Sequence, residues 1–298
     1  MFYFNKYPKS YFYGLSTEER KIKAVLGDDI GMRFRYKKTC GLFDLTYTVD
    51  DKYIVKFENE KTKRSDLKRM ADLTALLHNE PRITFKVPNM YAAAYEFEPC
   101  GEVFAVRYDK IHGDVLPYYQ MDTYRCMGKE QRRAWDITMR QIGTFMAELH
   151  SIPVMDVAHL FPNSVPAQIQ QAVQSILPEL ANEEKSFRRR VFENVLTAAY
   201  PDYDEVLCHN DLNPWNIALN KDHTIAGIFD WGLSNINRPI REKKYWEYGN
   251  EHEKIITETY CQNRGIPFDV PEKERVIRSN MPFPAMVLSI HERLCKER

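Results

Sequence analysis

The apolar residues of this chain change their spacing near residue 110, and that change limits the folds open to it. Before it they alternate. Leu45, Tyr47 and Val49 take every second place, Asp50-Asp51 supplies a turn, and Tyr53 to Phe57 resumes the alternation, which is the pattern of a β-hairpin. Two more strands are expected around Met90 to Phe97 and Val103 to Tyr108. Between them, Met70, Leu73, Leu76 and Leu77 fall three and four apart, so Ser65 to Asn79 reads as one amphipathic helix, closed by Pro81 and Pro88.

After Ile111-His112-Gly113 the period becomes helical. Trp135, Met139, Ile142, Phe145, Met146 and Leu149 mark one apolar stripe, ended by Pro153. Residues 167–200 read as another long helical stretch, with Val173, Ile176, Leu177 and Leu180 on one face. Three short strands interrupt the helices: Val206 to Cys208, Ile217 to Leu219, and Thr224 to Phe229, the last two joined by the turn Asn220 to His223. From Glu242 onward the chain reads as helices punctuated at Gly265, Pro267 and Pro271. Strands first and helices later give an α+β chain of two lobes. The expected division is 1–110, small and β-rich, and 111–298, larger and mostly helical.

Charge removes several classes of partner. Lys plus Arg is 42 and Asp plus Glu is 42, so the excess of positive charge that nucleic acid or an anionic membrane surface demands is missing. No stretch approaches the roughly 18 apolar residues of a membrane span. The aromatic start of the chain is broken by Asn5, Lys6 and Pro8 and does not read as a secretory leader. The six cysteines, at 40, 100, 126, 208, 261 and 295, include no C-x-x-C pair. Reduced thiols in a cytoplasmic protein, with no part in metal binding, are the expectation.

The chemistry sits in His209-Asn210-Asp211-Leu212-Asn213-Pro214-Trp215-Asn216, followed by Asp230-Trp231-Gly232. The D-L-x-x-x-N spacing of Asp211 and Asn216, with a second aspartate after an apolar strand, is that of a kinase catalytic loop and metal loop. Phosphoryl transfer to a hydroxyl needs a carboxylate to orient and deprotonate the acceptor, and oxygen ligands for Mg²⁺. Asp211 stands where the base belongs, and Asn216 and Asp230 are hard oxygen donors suited to Mg²⁺. Lys56, in the apolar strand Tyr53-Ile54-Val55-Lys56-Phe57, fits the lysine that holds nucleotide phosphates, since an ammonium there costs solvation unless it meets an anion. The phosphate-covering loop is reduced to Gly41. For the acid that pairs with Lys56, the helix offers Asp66 and Asp72; the sequence does not choose between them, and a solvated helix face is the preferred reading of either.

Together with Ile111-His112-Gly113 and the run Ala147-Glu148-Leu149-His150-Ser151-Ile152, these motifs resemble the aminoglycoside phosphotransferase/choline kinase-like family, closest to the aminoglycoside 2″-phosphotransferases. The resemblance covers roughly residues 35–270. It implies a bilobal protein-kinase-like fold with a nucleotide-binding lobe at 1–110 and a catalytic, substrate-binding lobe at 111–298. It further implies ATP or GTP held near Tyr108 to Ile111, Mg²⁺ on Asn216 and Asp230, Lys56 on the phosphates, Asp211 as base, and His209 as a structural prop for the loop. The activity implied is phosphate transfer to an alcohol of a small molecule, a cationic one among the candidates, as in antibiotic resistance. The turn Asn237-Arg238-Pro239 departs from the family's aspartate-proline, although Glu242 stands at its later acidic place.

A protein kinase fits less well: Asn210 replaces the arginine of H-R-D, no A-P-E follows Asp230, and Gly232 to Glu242 leaves no room for a long activation segment. The remaining alternatives are a metabolite kinase of the same fold, acting on choline, a sugar or a glycated amine, and a nucleotide-binding module without catalysis. Trp246, Glu247, Tyr248, Glu251 and Glu253 form an acidic, aromatic run suited to a cationic sugar. Lys243, Lys244 and Lys254 dilute it, and a solvated helix face is the preferred reading. Phe187 to Arg190 is read the same way. The sequence leaves oligomeric state open.

Overall fold

The computed structural model describes residues 14–40, 45–97, 101–116, 127–199, 204–239, 242, 250–266 and 283–297. It divides into two compact units, Met1–Pro117 with Pro214–Gly232, and Tyr118–Asn213 with Leu233–Arg298. The chain has the α+β, two-lobed fold that its period change predicts and the kinase-like architecture that its family resemblance implies.

The first unit is built on a five-stranded antiparallel sheet of β1 (Tyr36–Cys40), β2 (Leu45–Val49), β3 (Tyr53–Phe57), β4 (Tyr91–Phe97) and β5 (Gly101–Asp109), in the order β1-β2-β3-β5-β4. The β2–β3 turn uses Asp50 and Asp51 with φ of 49° and 54°, left-handed values that aspartate tolerates and that match the twist of a tight hairpin. Helix α1 (Thr17–Leu26) covers one face. Its Ile22, Val25 and Leu26 pack with Tyr47, Val49, Val55, Phe57, Ala93, Tyr95 and Ala105.

The alternation reading leaves α1 out, yet a local signal for it exists. Ser16 and Glu19 form a reciprocal capping box, with Glu19 N–H donating to Ser16 Oγ and Ser16 N–H to Glu19 Oε2. Helix α2 (Arg64–His78) lies within a residue of its expected place and buries Leu67, Met70, Leu73 and Leu77. The unit is completed by β6 (Asp114–Val115) and by strands β8 (Ile217–Leu219) and β9 (Ile225–Ile228) from later in the chain, in the order β6-β8-β9.

The second unit is mostly helical. It contains α3 (Lys129–His150), α4 (Val154–Val157), α5 (Val165–Ile176), α6 (Lys185–Ala199), α7 (Asn250–Arg264) and α8 (Phe283–Lys296), with one small sheet of β7 (Val206–Cys208) and β10 (Asn235–Asn237). The helical stretch expected over 167–200 consists of two α-helices, α5 and α6. Pro178 cannot continue α5, and Leu177 before it leaves helical torsions, with φ −126° and ψ 73°. The core joins Val173, Leu180, Phe187, Val191 and Val195 to Val287, Ile290 and Leu294 of α8. Phe187 is thus a core residue, while Arg189 and Arg190 pair with Asp156 and Glu297.

Candidate active site

In the first unit, β3 sets Lys56 opposite Thr46 of β2 and Val106 of β5. Val55 and Phe57 face the α1 core, so strand alternation sends Lys56 to the other face. There its ammonium meets Asp230 Oδ1 at 2.8 Å, with the lysine side chain 6% exposed and the aspartate 41%. Neither aspartate of α2 is its partner. Asp66 accepts the N–H of Lys63 and lies near Arg69, and Asp72 pairs with Lys68 at 2.5 Å along the helix.

The open end of the β8–β9 hairpin brings the backbones of the two expected metal ligands near each other. Ile217 pairs with Ile228, and Phe229 N–H donates to the Asn216 carbonyl at 3.1 Å, so Asp230 follows directly on the rung that Asn216 makes with Phe229. Asn216 is buried. Asp230 takes φ 67°, a left-handed backbone that outside glycine is found mainly at Asn and Asp. The turn after it is anchored by buried Trp231, whose indole N–H donates to Ile228 O at 3.2 Å, and by Arg69 of α2, which donates to Gly232 O at 3.1 Å.

Of the expected nucleotide contacts, Tyr108 stands opposite Ile54 on the Lys56 side of the sheet. Ile111 is buried against the hairpin: a Cβ on Gly227 would come within 2.8 Å of Ile111 Cδ1 and 2.9 Å of Lys86 O. Gly41 lies outside the described residues, as do Trp246, Glu247 and Tyr248. A cavity of about 370 Å³ has Tyr53, Tyr91, Arg107 and Tyr108 among its walls, and Lys56, Asn216 and Asp230 are not among them.

In the second unit, the loop after β7 carries Asp211, which is partly exposed. His209 is fully buried, and its Nδ1 accepts the Asp211 N–H at 3.3 Å. Asn210 takes φ 61° and donates from Nδ2 to Leu233 O at 3.3 Å. Asn213 N–H donates to Asp211 O at 2.8 Å. The loop is clamped by Glu242, whose carboxylate accepts His209 N–H at 2.6 Å and Asn210 N–H at 2.9 Å while fully buried. Two charge-assisted bonds of this kind fix the backbone just ahead of Asp211.

Behind the clamp lie residues to which the sequence gives no role. His150, the last residue of α3, places Nε2 3.7 Å from Glu242 Oε2 and 3.8 Å from Cys208 Sγ, and its Nδ1 is 3.0 Å from the Tyr260 hydroxyl of α7. Burial holds the His150 imidazole below its ordinary range, against the pull of Glu242. Burial, then Glu242, pushes the Cys208 thiol well above its own. Tyr260 is raised to about 12, chiefly by burial. No local spacing signals this cluster, because its members are 58 and 34 positions apart.

The division after Asn213 splits His209 to Asn216 between the two units, whereas Asp230-Trp231-Gly232 lies wholly in the first. A family model described as "Phosphotransferase enzyme family" matches residues 42–242. Among solved structures, the GDP complex of wild-type aminoglycoside 2'-phosphotransferase-IIIa has 18% identity and TM-score 0.57, over 94% of this chain and 90% of that one. ADP-bound aminoglycoside phosphotransferase APH(2″)-Ib has 19% identity and TM-score 0.57, over 95% and 98%. Macrolide 2'-phosphotransferase type I has 15% identity and TM-score 0.52, over 94% and 91%. At such identities the likeness is one of fold. Among the described residues no helix is long and apolar enough to cross a membrane.

Proposed function

The chain belongs to the phosphotransferase enzyme family, and from that premise we propose that it moves the γ-phosphate of ATP or GTP to a hydroxyl of a small molecule, with Mg²⁺. The observation that carries the reading is the Lys56–Asp230 pair at 2.8 Å, which joins two parts of the motif set 174 positions apart. In this reading residues 1–110 hold the nucleotide, with Gly41 over its phosphates and Tyr108 beside its base, together with Ile111 at the start of the next lobe. Residues 111–298 supply catalysis and the acceptor site.

The donor set fits a magnesium ion: an amide oxygen from Asn216 and a carboxylate from Asp230, both hard, with the carboxylate open to solvent. When bound, the ion would offset the negative charge of the nucleotide phosphates. Lys56 contributes a second positive charge to the α- and β-phosphates. Asp211 orients the acceptor hydroxyl and takes its proton as the new oxygen–phosphorus bond forms and the nucleoside diphosphate leaves. Proteins of similar fold include aminoglycoside and macrolide phosphotransferases, so hydroxyls of amino sugars are the first acceptors to try.

The test is nucleotide consumption with Mg²⁺ against aminoglycosides, macrolides, choline and sugars, with Asp211→Ala alongside. We expect acceptor-dependent turnover that falls by at least about 100-fold in the variant, within the usual range for a positioned base, while nucleotide binding is kept. Undiminished turnover in Asp211→Ala overturns the role of Asp211. Nucleotide binding with no transfer to any acceptor favours the non-catalytic module.

A further inference from the structure

The cluster behind the loop clamp has the composition of a metal centre. His150 Nε2, Cys208 Sγ and a Glu242 carboxylate oxygen all lie within 4.8 Å of one another, and all three side chains are buried. They come from three places: the end of α3, the end of β7, and the segment that returns after β10. We propose that His150, Cys208 and Glu242 bind one zinc-class transition-metal ion that ties these three segments together. The inference does not depend on the kinase reading.

Donor type favours such an ion over magnesium or calcium. One imidazole nitrogen, one thiolate sulfur and one carboxylate oxygen form the mixed set that borderline metals take and hard cations refuse. Spacing agrees. Zinc bonds of about 2.3 Å to sulfur and about 2.0–2.1 Å to nitrogen place those donors roughly 3.5 Å apart in a tetrahedral centre. The sulfur-to-nitrogen distance here is 3.8 Å and the nitrogen-to-oxygen distance 3.7 Å. The carbonyls of Asn237 and Arg238, 3.6 and 3.7 Å from the sulfur, offer a fourth donor.

Charge balance agrees as well. A divalent ion facing a neutral imidazole, one thiolate and one carboxylate leaves no net charge in the interior, where an unbalanced carboxylate is costly. Binding breaks the S–H bond of Cys208 and sends that proton to solvent. The nearby Arg264 is committed to the backbone, donating to His150 O at 2.7 Å. Tyr260, on the far nitrogen of His150, is the partner that orients a ligating imidazole.

The full chain, stripped with chelator under denaturant and refolded with Zn²⁺ or Co²⁺, provides the test. Zinc should be retained at one equivalent, and its X-ray absorption should show one sulfur with nitrogen and oxygen neighbours, a measurement on the unmodified chain. The cobalt form should show a near-ultraviolet thiolate charge-transfer band. Cys208→Ser should abolish that band, and Tyr260→Phe should weaken zinc binding by about 10–100-fold. Cys295→Ser and Asp230→Asn should leave the band in place. The first excludes the surface pair of Cys295 and His291, 3.7 Å apart, and the second excludes the proposed magnesium ligands. Refolded chain with no stoichiometric metal, a zinc shell without sulfur, or a band that survives Cys208→Ser overturns the site and leaves a hydrogen-bonded pin. Turnover is not among these readouts, so failure here leaves the kinase reading untouched.

Discussion

Lys56 is legible in the sequence because it is a local anomaly, an ammonium between Val55 and Phe57 in a strand of apolar residues. Its energetics follow from the unequal burial of its pair. The lysine side chain is 6% exposed and Asp230 is 41% exposed, so removing the lysine returns the aspartate to water at little cost. Lys56→Ala is therefore expected to lower turnover by about 100-fold or more, the usual loss when one preorganised charge is taken from a transition state, while shifting the thermal midpoint by only a few degrees. Steady-state kinetics and calorimetry on the same preparation check this, and unchanged turnover removes Lys56 from the phosphate site. The partner was not legible. The sequence offers only Asp66 and Asp72, which read better as a solvated helix face and are about half exposed, whereas the fold supplies Asp230 through the register of a hairpin far along the chain. His150, Cys208 and Glu242 converge for the same non-local reason, and no window of sequence contains them.

Elements follow the same division between local and distant causes. Strands β2 and β3 were legible from period two plus an Asp-Asp turn, and α2 and α3 from stripes three and four apart. Helix α1 has its signal in two residues, Ser16 and Glu19, and β10 is three residues long and mostly polar, too short for a period. What holds α1 to the sheet includes a hydrogen bond at 2.9 Å from the Tyr47 phenol to Glu18 Oε1. Burial, then this bond, raises the Tyr47 pKa above its ordinary value of 10.0. A raised folded value means that the stabilisation is fully present below pH 10 and is lost as pH rises beyond it. Urea unfolding at pH 9 and pH 11 should show wild type losing more stability than Tyr47→Phe, and parallel losses would contradict the assignment. The crossing of α3 and α7 depends on Gly143, where a Cβ would lie 2.5 Å from Ile256 O and 2.9 Å from Thr259 Cβ. Backbone cannot yield cheaply there. Gly143→Ala should cost about 1–3 kcal/mol of overpacking, outweighing the roughly 1 kcal/mol of helix propensity gained. A urea midpoint that rises would mean the helices stand farther apart.

Sequence order hides one feature of the first unit: it is assembled from two stretches, and its later stretch is not optional. Residues 214–232 bring in Ile217, Ile228 and Trp231, all essentially excluded from water. At about 1.5–3 kcal/mol for each large apolar side chain, their burial is worth roughly 5–9 kcal/mol, comparable with the whole stability of an ordinary domain, about 5–15 kcal/mol. The same stretch satisfies backbone groups of the earlier one: Leu116 N–H donates to Ile217 O at 3.0 Å, and Lys86 O accepts Ile228 N–H at 3.0 Å. A fragment ending at residue 117 would expose Ile111 and leave the edge of β6 and the Lys86 carbonyl unpaired, so it should show no cooperative urea transition. Joining residue 117 to residue 214 should restore one. Val115 stands opposite Ala218 in an antiparallel pair, so a loop of about 4–6 Gly and Ser residues suffices to connect the two stretches. Circular dichroism across a urea series distinguishes the two polypeptides. If the shorter one unfolds as sharply and at the same midpoint as the joined one, the hairpin is an appendage of a self-sufficient lobe. If only the joined one does, the strand that leads to Asp230 is part of the lobe's core, and the position of that aspartate beside Lys56 is set by folding itself.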